Sequence, residues 1–178
     1  MALQKKKTPM KEQAPEERIK NFKEVPFGYS DEEALVEAER CLQCKHQPCV
    51  EGCPVHVPIP QFIQALKDGD VEEAGQILKS KNNLPAVCGR VCPQEEQCED
   101  VCVMGIKNEP VAIGRLERYV ADYNMEHGSD KSSAEELEKM KVPELEGRKV
   151  AVIGAGPAGL TAAADLAKYG LEVTIFEA

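Results

Sequence analysis

Residues 41–54 read CLQCKHQPCVEGCP and residues 88–102 read CGRVCPQEEQCEDVC. These two stretches hold all eight cysteines of the 178-residue chain. The first spaces them Cys41-x2-Cys44-x4-Cys49-x3-Cys53-Pro54, and the second Cys88-x3-Cys92-Pro93-x4-Cys98-x3-Cys102. Met1 to Pro15 has no apolar stretch of the kind a secretory signal needs. The expected location is therefore cytoplasmic, where thiols stay reduced. An even number of closely grouped cysteines then points to metal rather than to disulfides.

The spacing favours iron–sulfur over zinc. Structural zinc prefers two CxxC-type knuckles facing each other, and only Cys41–Cys44 has that form. A cubane cage draws thiolates from several directions. In bacterial ferredoxins three close cysteines serve one cluster and a following Cys-Pro serves the other. Cys53-Pro54 fits that second part. On this reading Cys41, Cys44 and Cys49 hold a first [4Fe–4S] cluster, and Cys53 joins Cys92, Cys98 and Cys102 around a second. A four-plus-four count makes Cys88 the remaining ligand of the first. His46 and His56 flank the cysteines and are read as loop residues. The competing readings are a disulfide framework and a zinc-held or metal-free interaction module.

The surrounding sequence is helical. Ser30 and Glu33 have capping-box spacing, and Ala34, Leu35 and Ala38 follow at helical intervals. Pro58 and Pro60 open a helix carrying Phe62, Ile63 and Leu66, which closes near Gly69. Asp70 with Glu73 repeats the capping pattern ahead of Val71, Ala74, Ile77 and Leu78. Pro110 is expected to open a long helix running to about Glu126. Aromatics make up only 4% of the chain and Trp is absent, so the core must rest on Leu, Val, Ile and Ala and on whatever the cysteines bind. The net charge of −9 argues against a nucleic-acid partner, because a phosphate-binding surface needs a basic excess. Lys5, Lys6, Lys7 and Lys11 predict a solvated N-terminal arm, with a docking arm for an acidic partner as the alternative. No apolar run is long enough to span a membrane.

Beyond a polar stretch at 127–147 the pattern changes. Lys149–Ile153 is a β-branched run, and Gly154-Ala155-Gly156-Pro157-Ala158-Gly159 follows it. An Ala-rich helix comes next, then a second strand at Val173–Phe176. In this context Gly154 permits a tight turn, Gly156 lets backbone approach a pyrophosphate, and Gly159 lets helix pack on strand. Glu177 stands where a ribose hydroxyl would be bound. The chain stops at Ala178, and two strands with one helix do not bury a doubly wound sheet. A fragment of a longer enzyme, with an incomplete nucleotide site, is expected.

Taken together, CLQCKHQPCVEGCPVHVPIP, CGRVCPQEEQCEDVC, VAIGRLERYVAD and VAVIGAGPAGLTAAADLAKYG resemble the small (β) subunit of NADPH-dependent glutamate synthase. They are also similar to the large subunit of the electron-bifurcating NADH-dependent ferredoxin:NADP oxidoreductase and to the N-terminal part of dihydropyrimidine dehydrogenase. The resemblance covers roughly residues 30–178. It implies a mainly α architecture: an N-terminal arm (1–28), an α-helical ferredoxin-like two-cluster domain (29–128), a linker (129–147), and the first β-α-β of a truncated Rossmann-type FAD domain (148–178). It also implies two [4Fe–4S] clusters, FAD, and NADPH in a domain missing here. A further implication is that Glu117, in GRLERY, replaces a cysteine at the first cluster and leaves Cys88 a spare buried thiol. The implied activity is electron transfer within an NAD(P)H oxidoreductase, from flavin through the clusters to a large catalytic or electron-accepting partner subunit. Homo-oligomerisation is left open.

Overall fold

The computed structural model describes residues 4–127 and 134–178. Its elements run α1 (Pro15–Arg18), α2 (Asp31–Ala38), α3 (Pro48–Glu51), α4 (Ile59–Lys67), α5 (Val71–Lys79), α6 (Pro85–Val91), α7 (Ile113–His127), α8 (Ala134–Met140), β1 (Lys149–Ile153), α9 (Pro157–Lys168) and β2 (Glu172–Phe176). The protein is thus mainly helical, with a single parallel strand pair at its C-terminal end among the described residues. Of the expected linker, residues 129–133 lie outside the described residues.

Local chemistry explains the helix boundaries. Ser30 caps α2 in a full capping box, its Oγ accepting from Glu33 N at 3.3 Å while Glu33 Oε2 accepts from Ser30 N at 3.0 Å. Asp70 caps α5 through Oδ1, which accepts from Glu73 N at 2.9 Å. The expected return bond from Glu73 is not part of that cap. Pro110 does not open α7 directly. The carbonyl oxygens of Glu109 and Pro110 accept from the Arg40 guanidinium, and the helix begins at Ile113.

The core lies between α2, α4, α5 and α7, where Phe62, Ile63, Leu78, Leu116 and Val120 are fully buried. Threaded through it is a buried ion pair between Glu37 and Arg40. Glu37 also accepts from Thr8 N at 2.6 Å and Ala112 N at 2.8 Å. Arg40 donates to the carbonyls of Gln4, Lys5, Glu109 and Pro110. This corrects the solvated-arm expectation. Residues 4–8 are a strap clasped by the guanidinium groups of Arg40 and Arg115, Thr8 is buried, and Lys7 is ion-paired to buried Glu99. Lysine spacing alone did not reveal this, because the strap is held mainly through its backbone.

The C-terminal unit pairs Lys149 with Glu172 through to Ile153 with Phe176 in parallel register, with α9 as the crossover. Ala163 is its one buried residue, and Ile153 and Phe176 stay exposed. It is tied to the helical part through Asn83, whose Nδ2 donates to Asp165 Oδ1 at 2.7 Å and whose Oδ1 accepts from Lys168 Nζ at 2.5 Å.

Candidate metal centre

Cys41, Cys44, Cys49 and Cys102 line one cavity, walled by Ile59, Ile63, Met104, Val111 and Ile113. Three of the thiols come from the loop between α2 and the end of α3. That loop curls tightly. Gln43 and Gln47 within it, and His56 just beyond α3, have φ of 49°, 45° and 52° and are the non-glycine residues with positive φ among those described. Left-handed backbone costs a side-chain-bearing residue on the order of 1–3 kcal/mol, and such strain gathers at functional sites. Gln43 is held by its Nε2 donating to Pro60 O at 3.0 Å. Burial pushes the Cys41 thiol up and the Cys49 thiol to about 12, and in both the neighbouring Cys102 adds to the shift. Such thiols stay protonated until a metal displaces the proton.

A second group gathers around Cys53, Cys92, Cys98 and Glu117. Burial pushes Cys92 to about 12, and charges at Cys88, Glu117 and Cys53 push in the same direction. Cys98 is raised by burial, then by Glu99, Cys53 and Glu117. Glu117 itself is 9% exposed. Its carboxyl is lifted to about 7 by burial, against the pull of a hydrogen bond from Asn82. The two cysteine loops meet at Gly52. A Cβ there would stand 2.7 Å from Val101 Cγ2 and 2.9 Å from Gln97 O, so only glycine brings Cys53 beside Cys98.

The grouping differs from the sequence expectation in one exchange. Cys102 lines one cavity with Cys41, Cys44 and Cys49, and the Glu117 carboxylate acts electrostatically on Cys92 and Cys98. The cause is local. Cys102 opens a 3-10 turn, Val103–Ile106, which buries Met104, and Val103 and Met104 line the first cavity with it. Cys88 is half-buried, not fully buried, and lies against Cys92. All eight cysteines are free thiols. No three His, Cys, Asp or Glu groups among the described residues close on a point as the ligands of one ion do. Cys41, Cys44, Cys49 and Cys102 line the wall of one apolar cavity. His46 and His56 are loop residues, His56 Nδ1 lying 3.2 Å from Val50 O.

In the glycine loop, Gly154 has φ +96°, and a Cβ on Gly159 would fall 2.0 Å from Gly154 O. Space around Gly156 is open, and it precedes α9 with extended backbone. Ala155 lies within the turn, and Pro157-Ala158 open α9. Glu177 accepts from Ala155 N, which fixes its carboxylate at the loop.

Residues 18–129 match the family model described as dihydropyrimidine dehydrogenase domain II, 4Fe-4S cluster. The chain belongs to this 4Fe–4S domain family. Residues 152–178 match a second model, an NAD(P)-binding Rossmann-like domain. Among curated relatives, the glutamate synthase [NADPH] small chain of Escherichia coli is 38% identical over 158 residues, covering 88% of this chain and 32% of that protein. Subunit PreT of the NAD-dependent dihydropyrimidine dehydrogenase of Escherichia coli is 38% identical over 144 residues, covering 81% and 33%. The NADP(+)-dependent formate dehydrogenase subunit beta of Moorella thermoacetica is 41% identical over 149 residues, covering 74% and 20%. The chain spans about a third or less of the length of these relatives.

Two features of the site carry no mark in the sequence. Asn82 has no motif to mark it, yet its Nδ2 reaches Glu117 Oε1 at 2.8 Å. Glu99 lies between Cys98 and Cys102 and looks like a loop acid; it is buried, pairs with Lys7 and accepts from Gly114 N.

Proposed function

We propose that residues 29–128 carry two [4Fe–4S] clusters and pass electrons between a flavin and a partner subunit in an NAD(P)H oxidoreductase of the glutamate synthase small-chain type. Residues 129–147 act as the linker, and 148–178 begin the FAD-binding domain. The observation that supports this reading is the lining of one apolar cavity by Cys41, Cys44, Cys49 and Cys102; Cys53, Cys92, Cys98 and Glu117, which act electrostatically on one another, are assigned to the second set. Cys88 is the reserve thiol at the second set, beside Cys92.

When bound, the clusters supply one-electron transfer, and the flavin exchanges electron pairs with a nicotinamide for single electrons. The chain's own residues hold and shield. Ile59, Ile63, Met104, Val111 and Ile113 wall the first set of thiols with apolar side chains. Deprotonated Glu117 contributes one harder oxygen ligand at the second. The glycine loop offers backbone N–H groups at the start of α9 to a pyrophosphate, and Glu177 exchanges its bond to Ala155 N for a ribose hydroxyl. Leu42, Val55, Val101 and Val103 are 37–49% exposed beside the cysteines and suit docking of a large electron-accepting subunit.

Single-ligand variants in anaerobically purified protein test the sorting. Cys102→Ser and Cys41→Ser should alter the same EPR signal, and Glu117→Ala and Cys92→Ser the other. If Cys102→Ser instead alters the signal that Cys92→Ser alters, the sorting is wrong. If Glu117→Ala leaves iron content and both signals unchanged, the carboxylate is not a ligand.

A further inference from the structure

Asn82 lies at the junction of α5 and α6 and is 8% exposed. Its backbone N–H donates to Leu78 O at 2.9 Å, which fixes it to the end of α5. Its side-chain Oδ1 accepts from Leu84 N at 2.9 Å, just ahead of the first residue of α6. Since Leu84 N–H can only donate, the amide has one orientation: the oxygen faces Leu84 and the NH2 group faces Glu117. There Nδ2 donates to Glu117 Oε1 at 2.8 Å, between two buried side chains.

We infer that Asn82 is a positioning residue for the second cluster: it engages one oxygen of the Glu117 carboxylate and so presents the other to iron. This rests on the reading of Glu117 as a ligand. A carboxylate on a side chain with several rotatable bonds rotates among orientations unless one oxygen is engaged, and residues that orient ligands tune a metal site. A donor on the ligand also withdraws negative charge from the centre, which favours the reduced, more negative state. Loss of the donor therefore lowers the reduction potential of that cluster alone. The same hydrogen bond favours the ionised carboxylate, the form that ligates.

The experiment is an EPR-monitored redox titration of anaerobically purified Asn82→Asp, Asn82→Ser and Glu117→Ala. Asp matches Asn in shape and keeps the acceptor for Leu84 N, but its ionised carboxylate has no proton to give Glu117. Ser keeps a short acceptor near Leu84 N and falls short of Glu117, and it carries the decision alone should Asn82→Asp fail to fold. Both Asn82 variants are expected to retain iron. One EPR signal, the one changed by Glu117→Ala, should shift in g-values. At a fixed poised potential its oxidised-to-reduced ratio should rise at least tenfold, equivalent to about 59 mV for a one-electron couple. The other signal should stay fixed. A lowered melting temperature with both signals unmoved would show a merely structural cap and overturn the inference. Glu117→Ala separates the two failures. If it changes a signal that the Asn82 variants leave alone, only the role of Asn82 falls. If it changes neither signal, the ligand reading falls and this inference with it.

Discussion

Replacing Arg40 by Met removes a cation with essentially no solvent exposure and leaves its partner charged. In the native protein the Glu37 carboxylate has Arg40 Nη1, Thr8 N at 2.6 Å and Ala112 N at 2.8 Å. In the variant two N–H groups face a full buried charge, and the carbonyls of Gln4, Lys5, Glu109 and Pro110 lose the donor they share. Removing one partner of a buried pair costs about 3–5 kcal/mol. The Met side chain restores some packing but none of the hydrogen bonds, so a value near 4 kcal/mol is expected. With a urea slope of about 2 kcal/mol/M, the unfolding midpoint falls by roughly 2 M. The measurement is urea unfolding of the iron-loaded protein followed by circular dichroism. Lys20→Ala, which breaks an exposed pair with Glu17, serves as a control expected to leave the midpoint in place. Limited proteolysis of Arg40→Met should also release residues 4–13 first. A midpoint shift below about 0.5 M, or an N-terminal strap as protected as in the native protein, would refute the clasp.

Other expectations follow from single contacts. Gly52→Ala places a Cβ 2.7 Å from Val101 Cγ2; overpacking of this kind costs about 1–3 kcal/mol, and iron per chain should fall because the cysteine loops are forced apart. Ser30→Ala loses the cap of α2 and should cost about 1 kcal/mol with iron content unchanged; a fall in iron would show that α2 is coupled to the thiols more tightly than its capping suggests. Asn83→Ala cuts the tie to Asp165 and Lys168, so amide hydrogen exchange should speed up in α9 and not in α4. Gly159→Ala meets Gly154 O and should raise exchange in both β1 and α9; unchanged exchange would mean the loop relaxes without cost.

What the sequence made legible was governed by short-range physics. The Ser30–Glu33 box, the Asp70 cap, the proline-opened α4 and the β-α-β fingerprint each depend on residues within a few positions of one another, and each appears in the fold. Glu117 also stood out, through its family resemblance. The missed points depend on pairings distant in the chain. Cys102 was grouped with its sequence neighbours, but the turn at Val103–Ile106 carries it to the wall formed by Ile59 and Ile63. The strap at residues 4–8 reads as a charged tail because Arg40 holds it through the strap's own carbonyls at Gln4 and Lys5, which leave no mark in residue type. Asn82 contacts Glu117 across 35 positions, too far for any periodic pattern to record.

The central claim is that seven of the eight thiols, with Glu117, serve two iron–sulfur cages. Iron and acid-labile sulfide counted on protein purified without oxygen test it most directly. The account predicts about eight irons and about eight sulfides per chain, the content of two [4Fe–4S] clusters. About two zinc ions per chain with no sulfide would contradict it.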